Sequence, residues 1–575
     1  MPRPTHPHSR CAQHDTRPGA TARVRAGVGN ARAVLRHRHW RPLVVAALVW
    51  LAGLGATPVV AQLPALGDGA DFTLAAERQL GDRIAREIYR DADFVDDALL
   101  SEYLQAVWRP LVAAARARGE LAPDMEARFA WTTMLIRDRS VNAFALPGGY
   151  MGVHLGLMGM VSTPDELASV LAHELTHVTQ RHIARMDAQQ SRQAPWVIAA
   201  MVLGALAASK SPGMAGALMT GGQAAAIQGQ LNFSRDMERE ADRIGFNVMT
   251  QAGYDAPGFV SMFEKLQQAS RLNDSGAYPY LRSHPLTTER IADMQGRVES
   301  GAGAGALATS RWRVTSDLAH ALLSARARVL ADTRPDVQRQ WVEDARADRL
   351  KALPPARQAN LMYAAALAQM RLRDPDAALR VLAELQPVLG RDPEASRVLR
   401  LTAAEVELQA GRPDRALQRL DVDPAQSRLP RPELLLLAQV LRDQLRAGPG
   451  VAAPATVVVL GSGMAQRALL RQVQQGLLGL VSATPGDATA WDHMAQLADA
   501  AGQPVQAVRA QAEAQVARLD LPAALDRLKA GQDMVRRMAA SAQPADHIEA
   551  SIIDARLRQV DSALREQLRE QAPKR

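Results

Sequence analysis

The sequence predicts an α+β domain, mostly helical with a small antiparallel sheet, followed by an all-α, tetratricopeptide-like (TPR-like) solenoid. Three observations predict it. Aromatic residues make up only 4% of the chain while Ala, Leu, Arg and Gln abound, a composition that favours helix. Between residues 129 and 154 the apolar period shortens to that of strands, and beyond about residue 311 helical patterns recur with a repeated proline-bearing turn. At 575 residues the chain is also too long for a single core.

Residues 1–61 read as a targeting segment. Arg36-His37-Arg38-His39-Trp40-Arg41 is a basic n-region, Leu43 to Leu54 an apolar stretch, and Val59-Val60-Ala61 a cleavage site before Gln62. The n-region is unusually long, which a start downstream of Met1 would explain. Left uncleaved, Leu43 to Ala61 is just long enough to anchor the chain in a membrane. This segment holds nine Arg and one Asp, so it carries the whole net charge of +8, and the remainder has 59 basic and 59 acidic residues. The high isoelectric point therefore argues for no nucleic-acid partner. Cys11, the only cysteine, lies in the same segment, so the mature chain has no disulfide, cysteine nucleophile or thiolate metal site.

The first domain is expected over 62–299. Helical patterns cover Phe72 to Asp91 and Asp96 to Arg118, and strands cover Phe129 to Ile136, Ser140 to Ala145 and Tyr150 to His154, the last two joined by the turn Pro147-Gly148-Gly149. A long helix then starts with Thr163 as N-cap, Pro164 at its first position and Glu166 completing a capping box, and should run to about Gln189. Trp196 to Ala208 is apolar and Lys210 to Gly222 is rich in Gly and Met. This insert reads as a lid or buried cover, with a membrane-surface contact as the alternative. Helices follow over Phe233 to Ala252 and beyond the turn at Tyr280 to Pro285. The tract from Ser300 to Ala306 reads as a linker, placed at 300–310.

In 311–575, Arg373-Asp374-Pro375, Gly411-Arg412-Pro413, Gly502-Gln503-Pro504 and Asp520-Leu521-Pro522 each open a helix carrying a small Ala. The first two prolines are 38 residues apart, near the TPR period of about 34, but the last two turns are much closer, so the array is degenerate. An ordinary helical domain is the alternative. The run from Pro449 to Gly463 fits neither.

The chemistry concentrates on the long helix. His173 and His177 are four apart, so both imidazoles leave one face, as two ligands of a tetrahedral Zn²⁺ require. Glu174 is turned away from them and can take a proton from a water that zinc acidifies, the work of a general base. A third ligand is sought on the next helix. In Glu238-Arg239-Glu240-Ala241-Asp242, Glu238 and Asp242 share a face and Glu240 points elsewhere, so Glu238 is the candidate ligand and Asp242 the support for a ligating histidine. Two surface histidines and an ordinary charged helix face are the bland alternatives.

His173-Glu174-Leu175-Thr176-His177 with Glu238-Arg239-Glu240-Ala241-Asp242 resembles the gluzincin metalloprotease family of the HtpX heat-shock protease and the CAAX prenyl protease. Asn142-Ala143-Phe144-Ala145-Leu146-Pro147-Gly148-Gly149-Tyr150 matches the segment that those proteins carry before the zinc helix. Likeness extends over about Phe72 to Val298. With an export signal and a TPR-like array, the chain is similar to the periplasmic members that act in outer-membrane β-barrel assembly. The resemblance implies one zinc per chain, Glu238 as third ligand, Glu174 as base, and a metalloendopeptidase acting on unfolded or misassembled proteins, outer-membrane β-barrel precursors among them. It implies contact with the assembly machinery through the TPR-like domain. His284 is then an oxyanion donor or a fourth ligand that keeps the site latent. Unlike in HtpX, the insert does not read as membrane-spanning.

Asn142, Ala143, Phe144 and Ala145 are the expected edge strand on which peptide adds. His182 reads as structural, and Arg235 as the partner of a carboxylate near the site. Two other readings stand beside the enzyme: a chaperone or scaffold with latent proteolysis, and a structural zinc site whose chelation would unfold the domain.

Overall fold

The computed structural model describes residues 73–189, 235–272, 278–301, 315–422, 428–447, 463–540 and 547–571. The targeting segment, the insert, most of the expected linker and all but Gly463 of the run from Pro449 to Gly463 lie outside the described residues. No helix among the described residues is long and apolar enough to cross a membrane.

Two helices open the described chain. The first, α1 (Leu74–Arg90), is capped by Thr73 and buries Leu80, Ile84 and Ile88 on one face. After the short β1 (Phe94–Val95), α2 (Ala98–Ala117) is capped by Asp97 and buries Leu100, Leu104, Trp108 and Leu111 at four-residue or three-residue steps. A turn of helix, α3 (Pro123–Arg128), leads into β2 (Thr132–Ile136), β3 (Ala143–Leu146) and β4 (Tyr150–His154).

The sheet is mixed rather than antiparallel. Its order is β1-β2-β4-β3, with β2 parallel to β4 and the other pairings antiparallel. Every residue of β4 is buried, so that strand takes the interior place, while β3, folded back on it from Leu146 opposite Tyr150, is left at the edge. Chain neighbourhood favoured pairing β2 with β3, and burial overrode it.

After α4 (Leu155–Met160), α5 (Pro164–Thr179) starts where the sequence places it. Thr163 Oγ1 accepts from the Glu166 N–H at 3.2 Å, but Glu166 reaches one residue further back than a capping box requires, to the Ser162 N–H at 2.6 Å. The helix does not run to Gln189. It stops at Gln180, Arg181 adopts a left-handed φ of 52°, and α6 (His182–Gln189) begins again. Arg181 is pulled out of the helical path by Glu77 of α1, which is buried and accepts from its Nε at 2.7 Å.

Beyond the insert, α7 (Arg235–Gln251) lies against α5. The approach is close at Gly245, where a Cβ would stand 3.0 Å from the His173 nitrogen and 3.1 Å from the Ala172 carbonyl oxygen. Any larger residue would push the two helices apart. After it come α8 (Pro257–Leu272), α9 (Tyr280–Ser283) and α10 (Thr288–Glu299).

The remainder is helical. α11 (Asp317–Ala331) packs on α4 and on α14 (Pro355–Arg371), with α12 (Pro335–Asp344) and α13 (Ala347–Leu350) between. Then come α15 (Pro375–Leu389), α16 (Pro393–Gln409), α17 (Pro413–Leu420), α18 (Arg431–Ala447), α19 (Gly463–Ala483), α20 (Ala488–Ala500), α21 (Pro504–Ala517), α22 (Leu521–Ala540) and α23 (His547–Gln571). The recurring turn has a physical basis. Arg373, Gly411, Gly502 and Leu519 all take positive φ, between 62° and 74°, just before a helix with proline in its first two positions.

Three arginines of these helices each join one acid near the start of α2 to one acid of their own region. Arg326 meets Asp97 at 2.7 Å and Glu405 at 2.8 Å, Arg397 meets Glu102 and Glu433 at 2.6 Å each, and Arg431 meets Asp96 at 3.0 Å and Asp487 at 2.7 Å. On the far side, Arg86 donates to the Leu519 carbonyl at 2.7 Å.

Candidate metal centre

Helices α5, α7 and the segment after α9 converge on one buried point. Each of His173, His177, Glu238 and His284 offers a ligand atom there, all within 4.8 Å of one another. The Nε2 atoms of His173 and His177 face each other at 3.0 Å, and Glu238 lies 3.5 Å from each of them. His284 Nδ1 is 2.9 Å from Glu238 Oε1 and 3.3 Å from His173 Nε2. Its ring stacks on Tyr280 at 4.7 Å between centroids.

The outward nitrogens of both α5 histidines are engaged. His173 Nδ1 lies 2.9 Å from Asp242 Oδ1, and Asp242 in turn accepts from Arg290 Nε at 2.6 Å and Nη2 at 2.7 Å. Arg290 also stands 2.7 Å from Glu238. His177 Nδ1 lies 2.8 Å from His182 Nδ1, and His182 Nε2 lies 3.1 Å from Glu240 Oε2. The Asn142–Ala145 segment passes beside the cluster: Ala145 donates its N–H to Glu174 Oε2 at 3.1 Å. Glu174 Oε1 is buried with no hydrogen-bond partner among the described residues, 3.3 Å from His284 Nε2.

Charge in the cluster follows from burial and neighbours. Burial opposes ionisation of Glu238, but His284 and His173 outweigh it and hold its carboxyl far below the usual range. Burial likewise presses His173 down, yet its hydrogen bonds to Asp242 and Glu238 lift it to about 9. His177 is driven well below its ordinary value by burial and then by His173. Burial raises Glu174, partly offset by His284 and His173. Burial presses Asp242 upward, and Arg290 more than reverses it.

The donor set fits zinc. Two imidazole nitrogens, a carboxylate and a third imidazole converge, each α5 histidine is held from behind at its other nitrogen, and the buried Glu174 Oε1 beside them accepts no hydrogen bond among the described residues.

Residues 99–298 match peptidase family M48. The chain carries a peptidase family M48 domain. The β-barrel assembly-enhancing protease of Escherichia coli (strain K12) is 35% identical over 237 residues, which are 41% of this chain and 47% of that protein. That of Yersinia pestis is 36% identical over 250 residues, 42% and 48% of the two chains. The mitochondrial metalloendopeptidase OMA1 of Schizosaccharomyces pombe is 33% identical over 165 residues, 29% and 46%. The chain thus spans about half the length of the curated relatives it matches. A match to a peptidase family and a buried donor set that fits zinc therefore coincide within residues 99–298.

Two residues of the M48 domain, Arg290 and His182, escaped the sequence reading. Arg290, not Arg235, pairs with the carboxylates of the centre, and Arg235 is exposed. Nothing sets Arg290 apart among the chain's basic residues, although two buried acids on one helix call for a cation. His182 is not remote from the centre but touches His177, since the helix break at Arg181 turns it back. Glu240 does point away from the cluster, toward His182.

Proposed function

We propose that the whole chain is a periplasmic zinc-dependent endopeptidase that hydrolyses peptide bonds of unfolded or misassembled proteins, with outer-membrane β-barrel precursors as the substrate class. His173, His177 and Glu238 hold the metal, Asp242 orients His173, and Glu174 is the general base. Bound there, zinc supplies Lewis acidity toward the scissile carbonyl. Glu174 takes a proton from the attacking water and delivers it to the leaving amine. The observation that carries this reading is the buried convergence of two imidazoles, a carboxylate and a base candidate beside an edge strand. The similarity to the β-barrel assembly-enhancing proteases supports the substrate class.

Peptide adds along β3. The pairing of His154 N–H with the Asn142 carbonyl at 3.0 Å makes Phe144 and Leu146 face β4, so the polar groups of Ala143 and Ala145 face outward. One of these, the Ala145 N–H, is already held by Glu174. The C-terminal helices act as a TPR-like platform for partner protein, the outer-membrane assembly machinery among the candidates, and the targeting segment delivers the chain to the periplasm.

His284 favours a second reading, a scaffold whose proteolysis is latent. It lies between Glu174 and Glu238, within 3.3 Å of both. Degradation of casein and of an unfolded β-barrel protein, with and without a chelator, tests the first reading. Cleavage abolished by chelation and restored by zinc supports it, and an intact zinc-loaded protein that cleaves neither substrate favours the scaffold.

A further inference from the structure

We propose that His182, backed by Glu240, is a positioning residue that fixes His177 in the tautomer able to bind metal. The inference rests on the proposed metal at this centre.

A histidine that ligates through Nε2 carries its proton on Nδ1, and a buried N–H there needs an acceptor. His173 finds one directly in Asp242. Behind His177 stands a second imidazole, that of His182. The His177 Nδ1 faces the Nδ1 of His182 at 2.8 Å, between two fully buried rings. For His177 to donate there, His182 must present a lone pair at Nδ1 and keep its own proton on Nε2. Glu240 is placed for that: its Oε2 lies 3.1 Å from His182 Nε2, and a carboxylate only accepts. Arg185 holds the same oxygen at 2.9 Å from the other side.

The arrangement depends on the break in the zinc helix. On an unbroken helix, residues five apart point about 140° away from each other. The left-handed Arg181 reverses the chain and returns His182 to the ring it would otherwise miss. Helix α7 therefore supports both α5 histidines, Asp242 directly and Glu240 through an interposed imidazole, while Glu238 stands in the cluster itself.

Asn and Leu have nearly the same shape, and only Asn can offer an acceptor oxygen where His182 Nδ1 stands. Zinc affinity of the full-length chain is measured by competition with a chelator for wild type, His182→Asn, His182→Leu and Glu240→Ala, together with the melting temperature of each metal-free protein. The expected result is a loss of about 10–100-fold in zinc affinity for His182→Leu, most of it recovered in His182→Asn, with a smaller loss for Glu240→Ala. Metal-free melting temperatures of the Asn and Leu variants should match. Equal affinities in those two variants would overturn the relay, leaving His182 a packing residue. Should the Leu variant fail to fold, the partly exposed Glu240→Ala decides: wild-type affinity there overturns the proposal, and weakened affinity supports it. A wild-type chain that binds no zinc would instead sink the metal assignment itself.

Discussion

The backbone N–H of Ala145 donates to Glu174 Oε2 at 3.1 Å, tying the edge strand to the carboxylate that stands one residue from a zinc-ligand candidate. Strand and base candidate therefore position each other. Burial raises Glu174, and the Ala145 N–H is one of the groups that restrain the rise. Ala145→Pro removes this donor without removing a hydrogen bond to β4, since Ala145 faces outward. The variant should keep its zinc but lose activity, with the acid limb of its kcat/KM profile moved to higher pH. An unmoved limb would show that the N–H does not tune Glu174.

Glu174→Gln keeps the shape of the side chain and removes the base. Peptidase activity should fall by about 10²–10⁴-fold while zinc content stays at the wild-type level. A variant that loses zinc as well would make Glu174 a ligand rather than a base.

Arg290 is buried against Asp242 and Glu238, so Arg290→Met leaves two buried carboxylates without their cation. The cost in metal-free protein should be about 3–5 kcal/mol by denaturant unfolding. Adding Asp242→Asn should give a double variant less destabilised than the sum of the two singles. Simple additivity would mean that the pair does not act as a unit.

His320 carries the acid sensitivity of the contact between α11 and the M48 domain. Its ring lies 2.7 Å from the Tyr103 hydroxyl and 3.2 Å from the Val161 carbonyl, and burial presses it down to about 4. Because the folded value lies below the unfolded one of about 6.5, the unfolded chain binds the proton first. The stability is therefore present above about pH 6.5 and is lost as pH falls toward 4, by roughly 3 kcal/mol from this residue. Melting temperature should drop over that window, and less steeply in His320→Gln.

The pentapeptide from His173 to His177 and the four-residue spacing of Glu238 and Asp242 brought the cluster to notice, because that spacing fixes direction along a regular helix. Thr163-Pro164 marked the start of α5 for the same local reason. The break at Arg181 was not legible, since it depends on Glu77 more than a hundred residues earlier. His182 was lost with it. Sheet order was hidden because short strands carry no record of which neighbour they pair with, only of how deeply they are buried. The arginines that join the later helices to Asp96, Asp97 and Glu102 look in sequence like any other surface charge.

The central assignment is tested most directly by the zinc content of the purified full-length chain. Close to one zinc per chain is expected, falling to none when His173 and His177 are both replaced by Ala. Absence of zinc in the wild-type chain, or its retention in the double variant, would contradict the centre described above.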